Sequence, residues 1–381
     1  MPILIALILS ALFRGCEMRV AFDHQIFCLQ NYGGISRYFV RMAENMLAAE
    51  TDVVCFAPLH RNHYLKDLTQ SAVYGRWTEK YWPRTARVAL AYNYLLGRQG
   101  MRRWRPDIVH ETYYSRFGSG PKVCPRVLTV YDMIHELFPE NFASRDNTSE
   151  LKRLAVERAD HVICISESTR LDLMRLFSVP ESKVSVVHLG FEHFSARPPE
   201  LEHSRPYLLY VGSRHGYKNF SGLLQAVATS DRLKRDFDIV AFGGGAFSEA
   251  EQQNIIRLGF DTYKVRYIGG DDAVLGGLYN GARAFIYPSL YEGFGLPPLE
   301  AMSHSCPVIS SGTSSMPEVI GDAGIFFNPH DCDDMVGAIE RVVYSESEIA
   351  GLVSRGRERL NHFSWQRCTQ ETLSIYQSLQ R

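Results

Sequence analysis

Short apolar runs alternate with longer segments of helical period along most of the chain. In the first half the runs Val20–Phe22, Val53–Phe56, Ile108–Val109, Val127–Tyr131, Val162–Ile165 and Val184–Leu189 are rich in β-branched residues and bounded by polar or turn residues. Such runs predict strands buried on both faces. A helix from about Ile35 to Ala49 follows the first of them. A second series begins at Tyr207–Val211 and continues through Ile239–Phe242, Val265–Ile268, Ala284–Tyr287, Val308–Ser310 and Ile325–Phe327. Between the series, His193 to Pro206 is polar, proline-bearing and without period, and reads as a linker. Strands alternating with helices predict βαβ units and parallel sheets. The fold class is therefore α/β, with Rossmann-like domains at 18–192 and 207–364 joined by a linker at 193–206, and a last helical segment at 365–381.

Length agrees with this division, since 381 residues are long for one core and suggest two domains of roughly 170–190 residues. Residues 1–17 stand apart. Met1 to Phe13 is nearly all apolar, too short for a comfortable membrane span and without a basic segment ahead of it. Met18 directly precedes the first strand, so we read 1–17 as an upstream extension, with a hydrophobic tether as the competing reading. A net charge of −1 offers no general argument for nucleic acid, and none is expected as a partner. The eight cysteines include no Cys-x-x-Cys pair, which favours free thiols in a reducing cytoplasm over a disulfide framework or zinc site.

Chemistry concentrates in the second series. Glu292-Gly-Phe-Gly-Leu-Pro-Pro-Leu-Glu300 follows the strand Ala284–Tyr287 and opens the next helix. Its position is the crevice beyond the carboxyl end of a parallel strand, where ligands of open α/β sheets sit. Gly293 and Gly295 let backbone approach a ligand, and the helix N-terminus favours an anion. Each acid alone could merely complement the helix dipole, but that does not explain the glycines and prolines between them. Arg214 and Lys218 leave the strand Tyr207–Val211 through the small loop Gly212-Ser213. There Arg214 could clamp a phosphate bidentately and Lys218 add a point charge. Gly33-Gly34 opens a helix but is not Gly-x-Gly-x-x-Gly, so a dinucleotide fingerprint is unsupported. Asp132, with His135 three residues on, and His110 each follow or end first-domain strands; for His110 a buried, hydrogen-bonded role is an equal reading.

The Glu292–Glu300 stretch resembles the E-x7-E motif of retaining GT-B glycosyltransferases of family 4 (GT4), and Gly212 to Lys218 resembles their strand–Gly–Arg–Lys motif. The resemblance covers about residues 18–380 and is strongest from Tyr207 to Pro329. Thr129 to Pro139 and Tyr210 to Phe220 look like enzymes assembling bacterial O-antigen or capsule, often mannosyl- or deoxyhexosyltransferases. It implies a GT-B fold, a GDP- or UDP-sugar as donor substrate, no cofactor, and a saccharide or lipid-linked saccharide as acceptor. Glu300 would hold the ribose, Glu292 the transferred sugar, and the N–H groups of Phe294, Gly295 and Leu296 the sugar and phosphate. Gly33 and Gly34 would approach phosphate from the opposite wall, Ile268 would lie near the base, and Asp132 near the acceptor hydroxyl. His110 and His135 are acceptor-side candidates. Family members often carry His-Asp where this chain has Tyr131-Asp132, which leaves open what His135 does. Glu318 recurs in the family and is given a structural role. The segment 365–381 would cross back to the first domain.

No metal is expected. Asp331-Cys-Asp333 and Asp236-Phe-Asp238 fit Asp-x-Asp, but the first opens a helix as a cap and the second precedes a strand. Tyr74 to Pro106 carries eight cations against the single acid Glu79, interleaved with Trp77, Trp82 and Trp104. It suits either the anionic inner face of the cytoplasmic membrane or an ordinary solvated helix face. Two rivals to a transferase remain: a GT-B nucleotide-sugar epimerase or hydrolase, and a non-catalytic nucleotide- or saccharide-binding protein.

Overall fold

The computed structural model describes residues 18–81, 85–197, 205–261 and 263–380. The expected extension 1–17, part of the linker, and Trp82 and Arg84 of the basic stretch lie outside the described residues. The first sheet has seven parallel strands: β1 Arg19–Phe22, β2 Asp52–His60, β3 Val73–Trp77, β4 Ile108–Glu111, β5 Arg126–Val130, β6 His161–Cys164 and β7 Val184–Val186, in the order β3-β2-β1-β4-β5-β6-β7. The second has six: β8 Tyr207–Val211, β9 Asp238–Phe242, β10 Val265–Ile268, β11 Ala284–Tyr287, β12 Val308–Ser311 and β13 Gly324–Phe327, in the order β10-β9-β8-β11-β12-β13. In each sheet the strand order reverses beside the first strand, between β1 and β4 and between β8 and β11. That reversal opens a crevice at the carboxyl edge.

Each sheet is covered on both faces, which is why the strands read as unbroken apolar runs. The exception is β3, which the sequence pattern did not predict. It is an edge strand with Gly75, Arg76 and Trp77 exposed, so no apolar run marks it. The described start of the linker is packed: the Arg197 N–H donates to Ala273 O, and Phe194 lies against His304 at 4.9 Å. The helix Trp365–Leu379 returns to the first lobe. Its Tyr376 hydroxyl meets His110 Nδ1 at 2.5 Å, and Trp365 fills the space beside Gly190.

The two carboxyl edges face one another and touch. Gly293, after β11, lies so close to the Tyr131 carbonyl after β5 that an added Cβ would stand 1.8 Å from that oxygen. The Gly293 carbonyl accepts from Ser166 Oγ at 2.6 Å, and the Tyr291 hydroxyl donates to Asp172 at 3.0 Å. Phe138 of the first lobe packs on Tyr217 and Tyr291 of the second, at 5.7 and 6.1 Å. Glu318 crosses the same boundary. Its carboxylate accepts from the Glu167 N–H at 2.8 and 2.9 Å, at the start of the helix Glu167–Phe177, and lies 2.6 Å from His188 Nε2. A carboxylate at a helix N-terminus satisfies orphan N–H groups and complements the dipole. Here that carboxylate comes from the other lobe, beside the helix's own N-cap, Ser166, whose Oγ accepts from the Thr169 N–H at 3.1 Å.

Candidate active site

Lys218 and Glu292 come from the two strands that flank the second crevice. The first follows β8 in the short turn Gly216–Lys218, and the second follows β11. Lys218 Nζ donates to both carboxylate oxygens of Glu292, at 2.7 and 2.9 Å. Both side chains are largely buried, at 18% and 9% exposure, so the pair is little screened by water. The Glu292 backbone is pinned as well. Its N–H donates to Ser314 Oγ at 2.9 Å, and its carbonyl accepts from Ser315 Oγ at 2.9 Å. Ser315 also donates to Phe294 O at 2.9 Å, fixing the turn that Gly295 completes at φ 100. Pro297 and Pro298 then start the helix Leu296–Ser303 without wasting an N–H, because the first helical residues have no partner for one. The N–H groups of Phe294, Gly295 and Leu296 stand at that N-terminus.

Glu300 lies one turn further. Tyr279 donates its hydroxyl to Glu300 at 3.2 Å. Burial pushes the Glu300 carboxyl up to about 7; the Tyr279 bond and Arg37 oppose this, and Asp272 adds to it. Arg37 belongs to the first lobe, on the helix Gly34–Ala48, and approaches Asp272 of the second at 3.9 Å. The helix opens at Gly33-Gly34. A side chain at Gly33 would strike Gln30, whereas one at Gly34 would meet nothing within 4 Å. Gly34 is therefore an exposed helix start at the cleft.

Arg214 is not where the phosphate-clamp expectation would have it. Its side chain is 1% exposed and its donors are engaged: Nε with Glu251 at 2.7 Å, Nη1 with Gly243 O at 2.6 Å, and Nη2 with Ala246 O at 3.2 Å. It also lies over the rings of Phe247 and Tyr267. Gly243, Gly244 and Gly245 all have positive φ, and the guanidinium holds this turn from beneath. Glu251 forms a capping box with Ser248, and its carboxyl is held down at about 2. Burial alone would raise it; the bonds from Arg214 and Ser248 win. Sequence reasoning missed this turn, although three consecutive glycines after a strand were a legible signal. Gly212, at φ 136, and Ser213 complete the same edge, with Ile268 at the end of β10.

These lobes match two family profiles: residues 32–195 match "Glycosyltransferase Family 4", and residues 191–359 match "Glycosyl transferases group 1". The Escherichia coli O-antigen chain mannosyltransferase B is 31% identical over 270 residues, covering 66% of this chain and 70% of that protein. The chain belongs to glycosyltransferase family 4. Among solved structures, the fold of this glycosyltransferase is similar to sucrose-phosphate synthase from Thermosynechococcus elongatus, with TM-score 0.71, 19% identity, and 96% and 99% of the two chains covered. It is also similar to Anabaena HepE in complex with UDP and glucose, with TM-score 0.68, 17% identity, and 95% and 100% covered. At that identity the likeness establishes the GT-B fold.

The first lobe of the glycosyltransferase brings Asp132 directly to Gly293, with its Cβ 3.0 Å from where a Gly293 side chain would begin. Asp132 Oδ1 accepts from the Ile134 N–H at 3.0 Å. Lys152, fully buried, donates to Asp132 O at 2.8 Å and to Glu136 at 2.7 Å. His110 is not brought to the cleft. It is fully buried, bonded through Nδ1 to Tyr376 and through Nε2 to Thr129 at 2.8 Å, and burial lowers it to about 3. It stays neutral and ties the returning helix to the first lobe. His135 stacks on Phe142 at 3.9 Å, 4.0 Å from Asp146. Of the Asp-x-Asp pairs, Asp331 caps the helix Cys332–Val343. Asp236 bonds Arg235 and Tyr344, and Asp238 pairs with Arg205 and Arg266. Among the described residues no group of three metal-ligating side chains is gathered.

Proposed function

We propose that the chain is a retaining hexosyltransferase, favouring mannose or a deoxyhexose, that takes the sugar from a GDP- or UDP-linked donor and passes it to a lipid-linked saccharide of a cell-surface polysaccharide. The observation that carries this is the Lys218–Glu292 pair at the reversal point of the second sheet. Lys218 and the N–H groups of Phe294, Gly295 and Leu296 would receive the diphosphate, and the exposed helix start at Gly34 would face it from the first lobe. Glu292 would hold hydroxyls of the transferred sugar, and Glu300 those of the ribose. Arg214 would act indirectly, by fixing the Gly243–Gly245 turn. A carboxylate with both oxygens on an ammonium is a weak nucleophile. That favours a route in which the diphosphate departs and the acceptor hydroxyl, near Asp132, attacks on the same face. The mannosyltransferase relative supports the choice of sugar.

Peripheral contact with an anionic membrane is part of this proposal. The helix Ala86–Trp104 turns Val88, Tyr92 and Leu95 to solvent at 66%, 48% and 64% exposure, and ends in exposed Arg102 and Arg103. From Lys80 to Pro106 there is no acidic residue. Exposed apolar and cationic side chains on one helix suit a lipid interface. Among the described residues no helix is long and apolar enough to cross a membrane.

The test is incubation with radiolabelled GDP- and UDP-hexoses, with and without bacterial membranes or anionic vesicles carrying lipid-linked saccharide. Label should pass to the lipid-extractable saccharide, faster on anionic than on neutral vesicles. Isomerised or hydrolysed donor at the same rate without acceptor would make the chain an epimerase or hydrolase instead.

A pH dependence follows from Glu300. Its folded pKa, about 7, lies above the ordinary carboxyl value. The folded state therefore binds the extra proton, and this contribution to stability is full at low pH and lost as pH rises through about 7. Ribose hydroxyls donate best to the charged form. Nucleotide affinity, measured by titration calorimetry, should tighten across that range in the wild type and be flat and weaker in Glu300→Gln. A flat wild-type profile would count against the ribose role.

A further inference from the structure

A group of aromatic rings stands at the carboxyl edge of the first sheet, apart from the Lys218–Glu292 pair. Tyr32, directly before Gly33-Gly34, is 63% exposed. One face of its ring lies parallel on His63, at 4.4 Å and 8°, and Tyr64 meets it edge-on at 5.6 Å and 87°. His63 in turn meets Trp77 at 5.6 Å, and Lys66 Nζ covers Trp77 at 3.4 Å. Tyr32 is the most exposed ring of the group, against 37% for Trp77, and with His63 on one side its second face is the one offered to solvent.

The base beneath the rings is built rather than loose. Asn62, fully buried, donates to Gln30 O at 2.9 Å and Asn31 O at 3.4 Å, and accepts from the Leu65 N–H at 3.3 Å. The His63 N–H donates to Asn31 O at 2.9 Å. These bonds lock the segment carrying Tyr32 to the segment carrying His63 and Tyr64. Both segments lie beyond the carboxyl ends of β1 and β2, the edge that forms the cleft. The second lobe is near, because Arg37, five residues after Tyr32, reaches Asp272. A flat ring held open to water leaves apolar area unburied. It matches a ligand that is apolar on one face and polar at its rim.

We propose that this platform binds the acceptor saccharide, stacking the C–H face of a hexopyranose on the free side of Tyr32. His63 fixes the ring from behind, and Tyr64 meets it edge-on. The proposal rests on the transferase reading, and adds to it a site for the acceptor chain distinct from the donor half.

Saturation-transfer NMR and calorimetric titration with α-linked mannotriose test it on the whole chain, alongside thermal shift with GDP and UDP. Mannotriose should bind the wild type through ring C–H protons. Tyr32→Ala should weaken it by tenfold or more, and Tyr32→Phe should bind within about threefold of wild type, since stacking does not need the hydroxyl. Nucleotide shifts and melting temperature should be equal in all three, which a purely structural role for Tyr32 would not give. Unaltered mannotriose binding in Tyr32→Ala, or no binding to the wild type, overturns the platform. Absence of any nucleotide shift is a different result, and defeats the transferase reading itself.

Discussion

Replacing Glu292 by glutamine is expected to lower kcat by roughly 100- to 1000-fold, the usual consequence of removing one preorganised electrostatic contact from a reacting centre. The substitution preserves volume and the Ser314 and Ser315 bonds to the backbone, so the chain should still melt cooperatively. What it removes is the charge that positions Lys218 at 2.7 Å. Lys218 loses its partner but keeps its own charge, so nucleotide diphosphate should bind at least as tightly while transfer fails. Steady-state kinetics and nucleotide titration together read this split. Wild-type kcat in the glutamine variant would remove Glu292 from the chemistry.

The second large effect comes from a methyl group. In Gly293→Ala the new Cβ would stand 1.8 Å from the Tyr131 carbonyl oxygen and 3.0 Å from Asp132 Cβ. Backbone cannot yield there as a flexible side-chain end would, so the lobes must move apart or the Glu292 loop must shift. A misplacement of about 1 Å between reacting groups costs on the order of 100-fold in rate. The expected result is a loss of that size in kcat/KM for transfer, with nucleotide binding by the second lobe retained. Gly337→Ala is the control. It sits in the helix Cys332–Val343 with nothing within 4 Å of the added carbon, and alanine in a helix interior adds about 0.5–1 kcal/mol of stability over glycine. Equal activity in the two variants would mean that the contact between lobes is not needed for transfer.

Much of the architecture was legible because both sheets are buried on two faces. Twelve predicted runs from Val20–Phe22 to Ile325–Phe327 correspond to β1, β2 and β4 to β13. The strand that escaped, β3, lies at an edge where Arg76 and Trp77 meet solvent, and a half-exposed strand carries no continuous apolar signal. The site was readable only in part. The chain shows that Lys218 and Glu292 each leave a strand, but their meeting 74 residues apart depends on β8 and β11 being neighbours. Arg214 misled for the same reason. A cation after a strand looks available until Glu251, 37 residues on, is seen to claim it. His110 is fixed by a tyrosine 266 residues away, which no local pattern contains.

The cap that Glu318 places on the helix Glu167–Phe177 bears on how such enzymes can be recombined. The two halves are not interchangeable cassettes. A chimaera joining the first half to a foreign second half would keep the Ser166 cap on Thr169 but leave the Glu167 N–H without its acceptor, unless the donor sequence brings an acid to the same spot, within reach of His188.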